Sequence, residues 1–310
     1  MNDRSAQSER LLIELEPEAE RLLNRHLTLA EEWFPHEYIP YGRGREFTEE
    51  PWSPEQARIG KVAQAAFEVN LLTEDNLPTY HRLVYRTFAG GDGAWINWVK
   101  RWTAEEGRHA IALRDYLTVT RNIDPVALER ARMRQVQLPY ERDGSDVPRA
   151  IAFVAIQELV TRIAHLNTGL YSQKEEPRAA KLTERIAADE NLHMVFYRDM
   201  VSTIAKIDPS WAVEAIVDEV LNFEMPGGME DFRRKTALMA EVGIYDLRTH
   251  RDQVVLPLLR YWRVFELGGL SPEAERAREK VQRYIARLET MITRFEERRD
   301  AKADKLVRQL

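Results

Sequence analysis

The sequence predicts an all-α protein that folds as a single domain. Helical periodicity of apolar residues dominates the 310 residues, strand patterns are scarce, and no stretch between helical patterns is long enough for an interdomain linker. A hydrophobic content of 44% and a charged content of 31% suit a globular chain that buries a core. We therefore treat residues 1–310 as one domain.

The elements follow from local composition. Residues 1–10 are polar and predict a loose terminus, whereas residues 36–54 contain Pro and Gly and predict a long loop. Residues 271–310 open with Ser-Pro and carry charges spaced for i,i+4 pairs, which predicts a long charged helix with a frayed end. Apolar periodicity predicts further helices at about 55–88, 94–121, 148–171, 177–205, 209–223, 229–243 and 253–266.

Composition excludes several classes of protein. The chain has no cysteine, which excludes disulfides, thiolate ligands and a cysteine nucleophile. A net charge of −6 argues against a nucleic-acid-binding protein. No apolar run approaches the about 20 residues that span a bilayer, and the polar start lacks the apolar stretch of a signal peptide. We therefore expect a soluble cytoplasmic protein without a membrane span.

Two of the seven histidines follow a glutamate by three residues. These pairs are Glu106 and His109 in "TAEEGRH", and Glu190 and His193 in "AADENLH". Each pair shares one face of a helix, and the two motifs lie 84 residues apart in the sequence. One Glu-x-x-His alone is more typical of a surface pair, so the evidence for a site depends on its second copy.

Each motif glutamate has another glutamate 32 residues before it. Glu74 in "LLTEDNLPTY" precedes Glu106, and Glu158 in "AIQELVT" precedes Glu190. The midpoints of these two intervals fall in the turn-forming segments "FAGGDGA" and "YSQKEEP". Two antiparallel helices joined there would place both glutamates about 24 Å from the turn, at the same height. Each helical hairpin is therefore predicted to pair a single glutamate with a Glu-x-x-His.

The four glutamates lie on apolar helix faces, where unpaired carboxylates would be prohibitively costly. Two divalent cations would neutralise the four carboxylates, and the two imidazoles complete the pattern of ferritin-like carboxylate bundles. One imidazole per metal in an oxygen-rich shell suits iron or manganese, whereas zinc usually takes more His or Cys. We predict a ferritin-like four-helix bundle with flanking helices and two Fe(II) ions. The predicted ligands are Glu74, Glu106, His109, Glu158, Glu190 and His193.

From about Trp33 to Pro209 the chain resembles the soluble acyl-[acyl-carrier-protein] desaturases. The resemblance rests on "WFPHEYIP", "LTEDNLPTY", "WTAEEGRH", "QELVTRIAHLNT" and "IAADENLHMVFY", in the order of the family. The later "VVLPLLRYWRVFEL" fits the actinobacterial members. Gly107 replaces an Asn of the plant pattern, and Asn191-Leu192 replaces Lys-Arg.

The resemblance implies an O₂-dependent enzyme of fatty acid biosynthesis. It would introduce a cis double bond into a fatty acyl chain on acyl carrier protein, with electrons from ferredoxin, and act as a homodimer. By position, Glu106 and Glu158 would bridge the irons, and Thr161 would lie near the oxygen-binding side. Trp33 and Asp189 would form an electron path to the cluster, although Trp33 is equally typical of a core residue and Asp189 of an ordinary acceptor for a ligand histidine.

Other functions fit parts of the pattern. A di-iron hydroxylase or oxygenase on a carrier-bound substrate would use the same ligands, because the pocket decides the reaction. A ribonucleotide reductase small subunit would have its radical tyrosine where this chain has Leu113. Iron-storage proteins of this type are usually shorter. His165 on the Glu158 face is interpreted as a buried core histidine.

An acidic carrier protein requires a basic surface. Candidates for that surface are Arg233, Arg234, Lys235, Arg248 and Arg251, although scattered surface charge explains them equally well. Leu83, Arg86 and Thr87 differ from the residues that shape the acyl tunnel of the plant members, so the acyl length and double-bond position are not transferred.

Overall fold

The computed structural model describes residues 3–88, 93–138, 146–225, 229 and 231–307. Within this part of the chain the regular structure is helical throughout, and the predicted all-α class is confirmed. The first seven α-helices are α1 (Asp3–Leu29), α2 (Pro35–Tyr38), α3 (Lys61–Glu74), α4 (Leu77–Phe88), α5 (Ala94–Val119), α6 (Pro125–Gln137) and α7 (Val147–Ser172). The others are α8 (Pro177–Ile207), α9 (Pro209–Asn222), α10 (Phe232–Glu241), α11 (Leu247–Thr249), α12 (Leu256–Tyr261) and α13 (Pro272–Val307), with a π-helical stretch at His250–Val255 between α11 and α12.

Helices α3, α5, α7 and α8 form the central bundle and carry all six predicted ligands. The hairpin of α7 and α8 makes the most extensive contact, while α3 packs on α5 and α7, and α5 packs on α8. Helix α1 covers α5 and α8 from outside, and α9 lies between α7 and the long α13. The four-helix bundle with flanking helices therefore agrees with the prediction.

The predicted single helix over 55–88 is wrong, because α3 ends at Glu74 and α4 starts at Leu77. Pro78 explains the break. A proline has no N–H to donate to the carbonyl of Glu74, and its ring would collide with that carbonyl in a continuous helix. Glu74 is consequently the last residue of α3, and two residues separate it from α4.

The predicted loose terminus at 1–10 is also wrong, because α1 begins at Asp3. Leu11, Leu15 and Leu22 are buried on one face of α1 and anchor it to the core. The apolar pattern did not predict helix α6. Its start is nevertheless encoded by Asp124, whose carboxylate accepts from two backbone N–H groups, and by Pro125.

The remaining predicted elements agree to within a few residues. Residues 36–54 are largely irregular, with the end of α2 and a 3₁₀ turn at Tyr41–Arg43. The helix predicted at 229–243 is α10, and the one at 253–266 begins earlier, as the π-helical stretch. The turn in "YSQKEEP" separates α7 from α8 as predicted, whereas residues 89–92 of "FAGGDGA" lie outside the described residues.

The C-terminal helix α13 forms as predicted. Its charged residues face outward, and Ala274, Val281, Leu288 and Ile292 form a buried stripe on the other side. In the parts of the chain that the structure describes, no helix is both long and apolar enough to cross a bilayer.

Candidate metal centre

The bundle brings the six predicted ligands together in its interior. Each of the six residues is at most 2% exposed. Their donor atoms form two overlapping groups, in each of which the atoms lie within 4.8 Å of one another. One group contains Glu74, Glu106, His109 and Glu190, and the other contains Glu106, Glu158, Glu190 and His193.

An outer donor holds one oxygen of each carboxylate. Such a bond fixes the orientation of a ligand before a metal binds. The bonds are those of His165 Nε2 to Glu74 Oε1 (2.7 Å), Tyr80 Oη to Glu106 Oε2 (3.4 Å), Trp102 Nε1 to Glu158 Oε1 (3.1 Å) and Thr161 Oγ1 to Glu190 Oε2 (2.7 Å). His165 is thus buried, as predicted, and Glu74 is its partner.

Each predicted ligand histidine is oriented by a carboxylate on the opposite helix. His109 Nε2 lies 3.2 Å from Asp189 Oδ2, and His193 Nε2 lies 2.9 Å from Glu105 Oε2. Because a carboxylate accepts, each ring donates from Nε2 and turns Nδ1 inward. Nδ1 of each ring is therefore positioned to bind a metal when it carries no proton.

Several inward atoms have no hydrogen-bond partner. His109 Nδ1 is 3.1 Å from Glu190 Oε1, and His193 Nδ1 is 2.9 Å from Glu106 Oε1. Neither pair is aligned for a hydrogen bond, and Glu158 Oε2 is likewise unpartnered. Buried polar atoms of this kind are rare because they are costly. Two divalent cations would satisfy all of them, so the residues present fit a two-metal centre.

The pKa values of the metal-free cluster also favour a two-metal centre. Burial, reinforced by Glu190 and Glu74, raises the pKa of Glu106 to about 8, and burial with Glu106 raises the pKa of Glu158 well above its usual range. Burial alone would lower the pKa values of His109 and His193, but the surrounding carboxylates outweigh burial and raise them. Without cations the cluster thus retains protons, which metals would displace.

The geometry favours different shared ligands from those expected. Glu106 and Glu190 belong to both groups, whereas Glu158 belongs to one. The sequence resemblance had pointed to Glu106 and Glu158 as the bridges. The reason for the difference is symmetry, since the two Glu-x-x-His glutamates occupy equivalent positions on α5 and α8, while Glu74 and Glu158 each complete only one group.

The predicted electron-path residues are in contact with each other and with the centre. Trp33 Nε1 donates to Asp189 Oδ2 at 2.7 Å, and the Trp33 ring stacks on the His109 ring at 6.4 Å. Arg185 and Arg108 also bind the Asp189 carboxylate, at 2.6 and 2.9 Å. Burial alone would raise the pKa of Asp189, but the hydrogen bonds from His109 and Trp33 and the charge of the two ligand histidines outweigh burial and hold it well below its usual range. Trp33 is 3% exposed, so it serves the core as well.

Sequence reasoning missed Glu105, the partner of His193. The signal was present, because Glu105 precedes Glu106 as Asp189 precedes Glu190, at the same separation of 84 residues. The contact itself, across two helices, is not encoded in local spacing. Tyr80 and Trp102 were missed for the same reason.

Most of the predicted basic surface is neutralised by neighbouring carboxylates. Arg234, Lys235, Arg248 and Arg251 all form ion pairs, and Arg233 is exposed. Their partners are Asp231 (3.2 Å), Glu68 (2.7 Å), Glu296 (2.5 Å) and, for Arg251, Asp252 (3.1 Å) and Glu289. These residues therefore give little support to a strongly basic docking surface.

An all-α bundle with two Glu-x-x-His motifs and two further glutamates defines a candidate two-metal protein, and comparison with known proteins identifies the family. The model of the fatty acid desaturase family matches residues 7–309. The chain belongs to this family and is an oxidoreductase of the desaturase type.

Individual relatives agree with this assignment. The chain is 42% identical to an acyl-[acyl-carrier-protein] desaturase named DesA1 of Mycobacterium tuberculosis, over 96% of this chain and 91% of the relative. It is 31% identical to stearoyl-[acyl-carrier-protein] 9-desaturase 6 of Arabidopsis thaliana, over 76% of this chain and 63% of the relative. The X-ray structure of the acyl-ACP desaturase DesA2 of M. tuberculosis superimposes with a TM-score of 0.69 at 30% identity, covering 86% of this chain and 99% of that chain.

Proposed function

We propose that this protein introduces a cis double bond into a fatty acyl chain attached to acyl carrier protein, with O₂ and electrons from ferredoxin. The observation that carries the proposal is the pair of overlapping ligand groups, whose inward atoms are buried and unpartnered. Membership of the desaturase family and relatives named for acyl-carrier-protein substrates support the choice of substrate.

The oxygen-rich ligand set with one imidazole per metal favours iron, and two Fe(II) ions would be held by Glu74, Glu106, His109, Glu158, Glu190 and His193. When bound, the iron pair supplies the oxidising power by reducing O₂. Overall, two methylene hydrogens, two electrons, two protons and O₂ give one cis double bond and two water molecules.

The protein fixes the positions of the ligands, balances the charge of the metals and buries the centre away from water. Four carboxylates match the charge of two divalent cations, and their outer donors keep them in place before loading. Thr161 fixes Glu190 and has its hydroxyl at the centre, which suits a role beside the reacting oxygen. The Trp33–Asp189–His109 contacts offer an electron route through buried side chains towards one metal.

Membership of the desaturase family supports a proposal for the partners, the assembly and the location. We propose acyl carrier protein and a ferredoxin as transient partners, a homodimer as the assembly and the cytoplasm as the location. The acidic carrier then meets a surface other than the ion-paired residues 234, 235, 248 and 251.

The proposal is tested by the intact mass of acyl-acyl carrier protein of several chain lengths. Each is incubated with the iron-loaded protein, ferredoxin, its reductase, NADPH and O₂. We expect the loss of two hydrogens from at least one substrate, and fragmentation then locates the double bond. A gain of one oxygen would instead establish the hydroxylase alternative, and oxygen consumption with no change in mass would refute the carrier-bound substrate.

A matched pair of variants ties the reaction to the centre. His109→Gln removes a proposed ligand, whereas His81→Gln removes a half-buried histidine that bonds Thr103 outside the ligand groups. Product formation should vanish in the first variant and persist in the second.

A further inference from the structure

Two sets of side chains outside the ligand groups orient the ligand histidines, and we call them arms. The sequence predicted residues of only one arm. We name them after their carboxylates. The Asp189 arm consists of Arg185, Asp189, Trp33 and the ligand His109. The Glu105 arm consists of Arg101, Glu105, His26 and the ligand His193.

In the Glu105 arm one carboxylate joins three side chains. Glu105 Oε2 lies 2.9 Å from His193 Nε2 and 3.0 Å from His26 Nε2, and Arg101 Nε donates to Oε1 at 2.7 Å. Glu105 and His26 are each 3% exposed. The His26 ring stacks on the His193 ring, with centroids 5.8 Å apart. Because the carboxylate only accepts, both histidines donate from Nε2.

The two arms correspond by the same shift of 84 residues that relates the ligands. Arg101 maps onto Arg185 and Glu105 onto Asp189, and each arginine pairs with the carboxylate four residues later on its own helix. Each carboxylate orients the ligand histidine of the opposite helix. The arms differ in the remaining donors, which are the indole of Trp33 and the guanidinium of Arg108 for Asp189 and the imidazole of His26 for Glu105.

We infer that His26 and Glu105 are positioning residues for one metal, holding His193 with its Nδ1 towards the Glu106–Glu158–Glu190 ligand group, as Trp33 and Asp189 do for His109 and the other metal. The inference rests on the two-metal part of the proposed function. It does not depend on the identity of the acyl substrate.

The physical reason is the fixed tautomer of His193. A metal needs the lone pair of Nδ1, and the charge-assisted bond from Nε2 to Glu105 keeps the proton on the other nitrogen. Glu105 is itself held between Arg101 and His26, so loss of the His26 N–H frees one side of the carboxylate and loosens the ring of His193. Outer-shell losses of this kind typically weaken metal binding about 10- to 100-fold.

A positioning role for His26 differs from a packing role because it should affect the binding of only one metal. His193 belongs to only one ligand group, and His109 belongs only to the other. Changes at His26 should therefore weaken one binding step, and changes at Trp33 should weaken the other. A purely structural role for His26 in the core would affect both steps or neither.

The experiment is an anaerobic Co(II) titration of the metal-free full-length protein, followed by visible absorption. It compares the wild type with His26→Phe, which keeps a ring but has no N–H, and with His26→Gln, which restores an N–H donor. Trp33→Phe is the matched variant of the other arm. Circular dichroism confirms that each variant is folded.

We expect two Co(II) per chain in the wild type. In His26→Phe one step should weaken by about 10- to 100-fold, with partial recovery in His26→Gln, and Trp33→Phe should perturb the spectrum of the other Co(II). Two unchanged steps in His26→Phe, or equal weakening of both steps, would overturn the inference.

His26, Glu105 and His193 also lie close enough to form a cation group of their own. A third Co(II) in the wild type that is lost in His26→Phe would show a metal subsite there and contradict the hydrogen-bond role. Fewer than two Co(II) in the wild type would refute the two-metal centre itself. Two intact steps without desaturation would refute only the acyl assignment.

Discussion

Single residues of the centre have unequal consequences, because Glu190 is in both ligand groups and Glu158 is in one. We expect Glu190→Gln to lose most of both metals and Glu158→Gln to retain about one metal per chain, since a neutral amide is a poor ligand for iron. Inductively coupled plasma mass spectrometry after gel filtration gives the number of metals that each variant retains. The reverse result would make Glu158 the shared ligand.

A buried glutamate outside the centre is the control for these variants. Glu219 is 0% exposed and binds Arg149 at 3.2 Å. Glu219→Gln should keep both metals even if stability falls. Metal loss in this variant would mean that removing any buried carboxylate disturbs the bundle.

The same residues predict how metal binding responds to pH. The pKa of Glu106 is raised to about 8 by burial and by Glu190 and Glu74, and the carboxylates raise the pKa values of His109 and His193. At pH 7 the metal-free site therefore holds protons that must leave when a metal binds, so affinity should rise with pH towards 8 and fall in acid. Calorimetry in two buffers of different protonation enthalpy should detect a net release of protons at pH 7. Heats that do not depend on the buffer would contradict this prediction.

At the scale of helices, sequence patterns located α5, α7, α8 and α13 to within about two residues, because each has a long apolar face with clear end signals. The α3–α4 break was missed although Pro78 encodes it, since periodicity alone passes through a proline. The four carboxylates were predictable because one repeat distance relates them. The His26–Glu105 contact was not, because it joins residues 79 apart on helices whose packing the local pattern does not specify.

The close contact between α7 and α8 predicts that replacing Gly169 destabilises the protein. A Cβ at Gly169 would collide with Thr183 Oγ1 and lie 3.1 Å from Ala180 Cα, so the helices could not keep their spacing. Although alanine gains about 1 kcal/mol in helix propensity, we expect Gly169→Ala to lower the free energy of unfolding by about 1–3 kcal/mol through overpacking. Urea denaturation of the metal-free protein measures the change.

Gly107 is the matched control in helix α5. A Cβ there would meet only Leu77 Cδ2 at 3.7 Å, an ordinary van der Waals contact. Gly107→Ala should therefore leave the free energy of unfolding unchanged or raise it by up to about 1 kcal/mol. If both alanine variants behaved alike, close helix approach would not be the reason for Gly169.

At the scale of the whole molecule, the N-terminal region completes the centre. Helix α1 supplies His26, and the segment after it supplies Trp33, so one stretch of chain reaches the outer carboxylates of both ligand histidines. The bundle provides the ligands, and this covering layer fixes their orientation. Truncation of α1 should therefore impair metal binding as well as stability.

The stability of the whole fold should depend on His250, which joins the end of α9 to the π-helical stretch. Its ring stacks on Phe223 at 5.7 Å, and its Nδ1 lies 2.9 Å from the hydroxyl of Tyr245. Burial lowers the pKa of His250 to about 4, so the folded protein keeps this ring neutral. The unfolded chain takes up a proton below about pH 6.5, and this uptake favours unfolding. The contribution of His250 is thus complete above pH 6.5 and is lost as the pH falls towards 4.

We expect metal-free wild type to lose about 1–3 kcal/mol more stability than His250→Gln between pH 7.5 and pH 4.5, because glutamine does not titrate. Subtraction of the two urea denaturation series removes the shared contribution of the metal-site carboxylates and histidines. His36→Gln, at an exposed histidine, should follow the wild type at every pH. Parallel stability curves for wild type and His250→Gln would show that burial of His250 does not couple folding to protons.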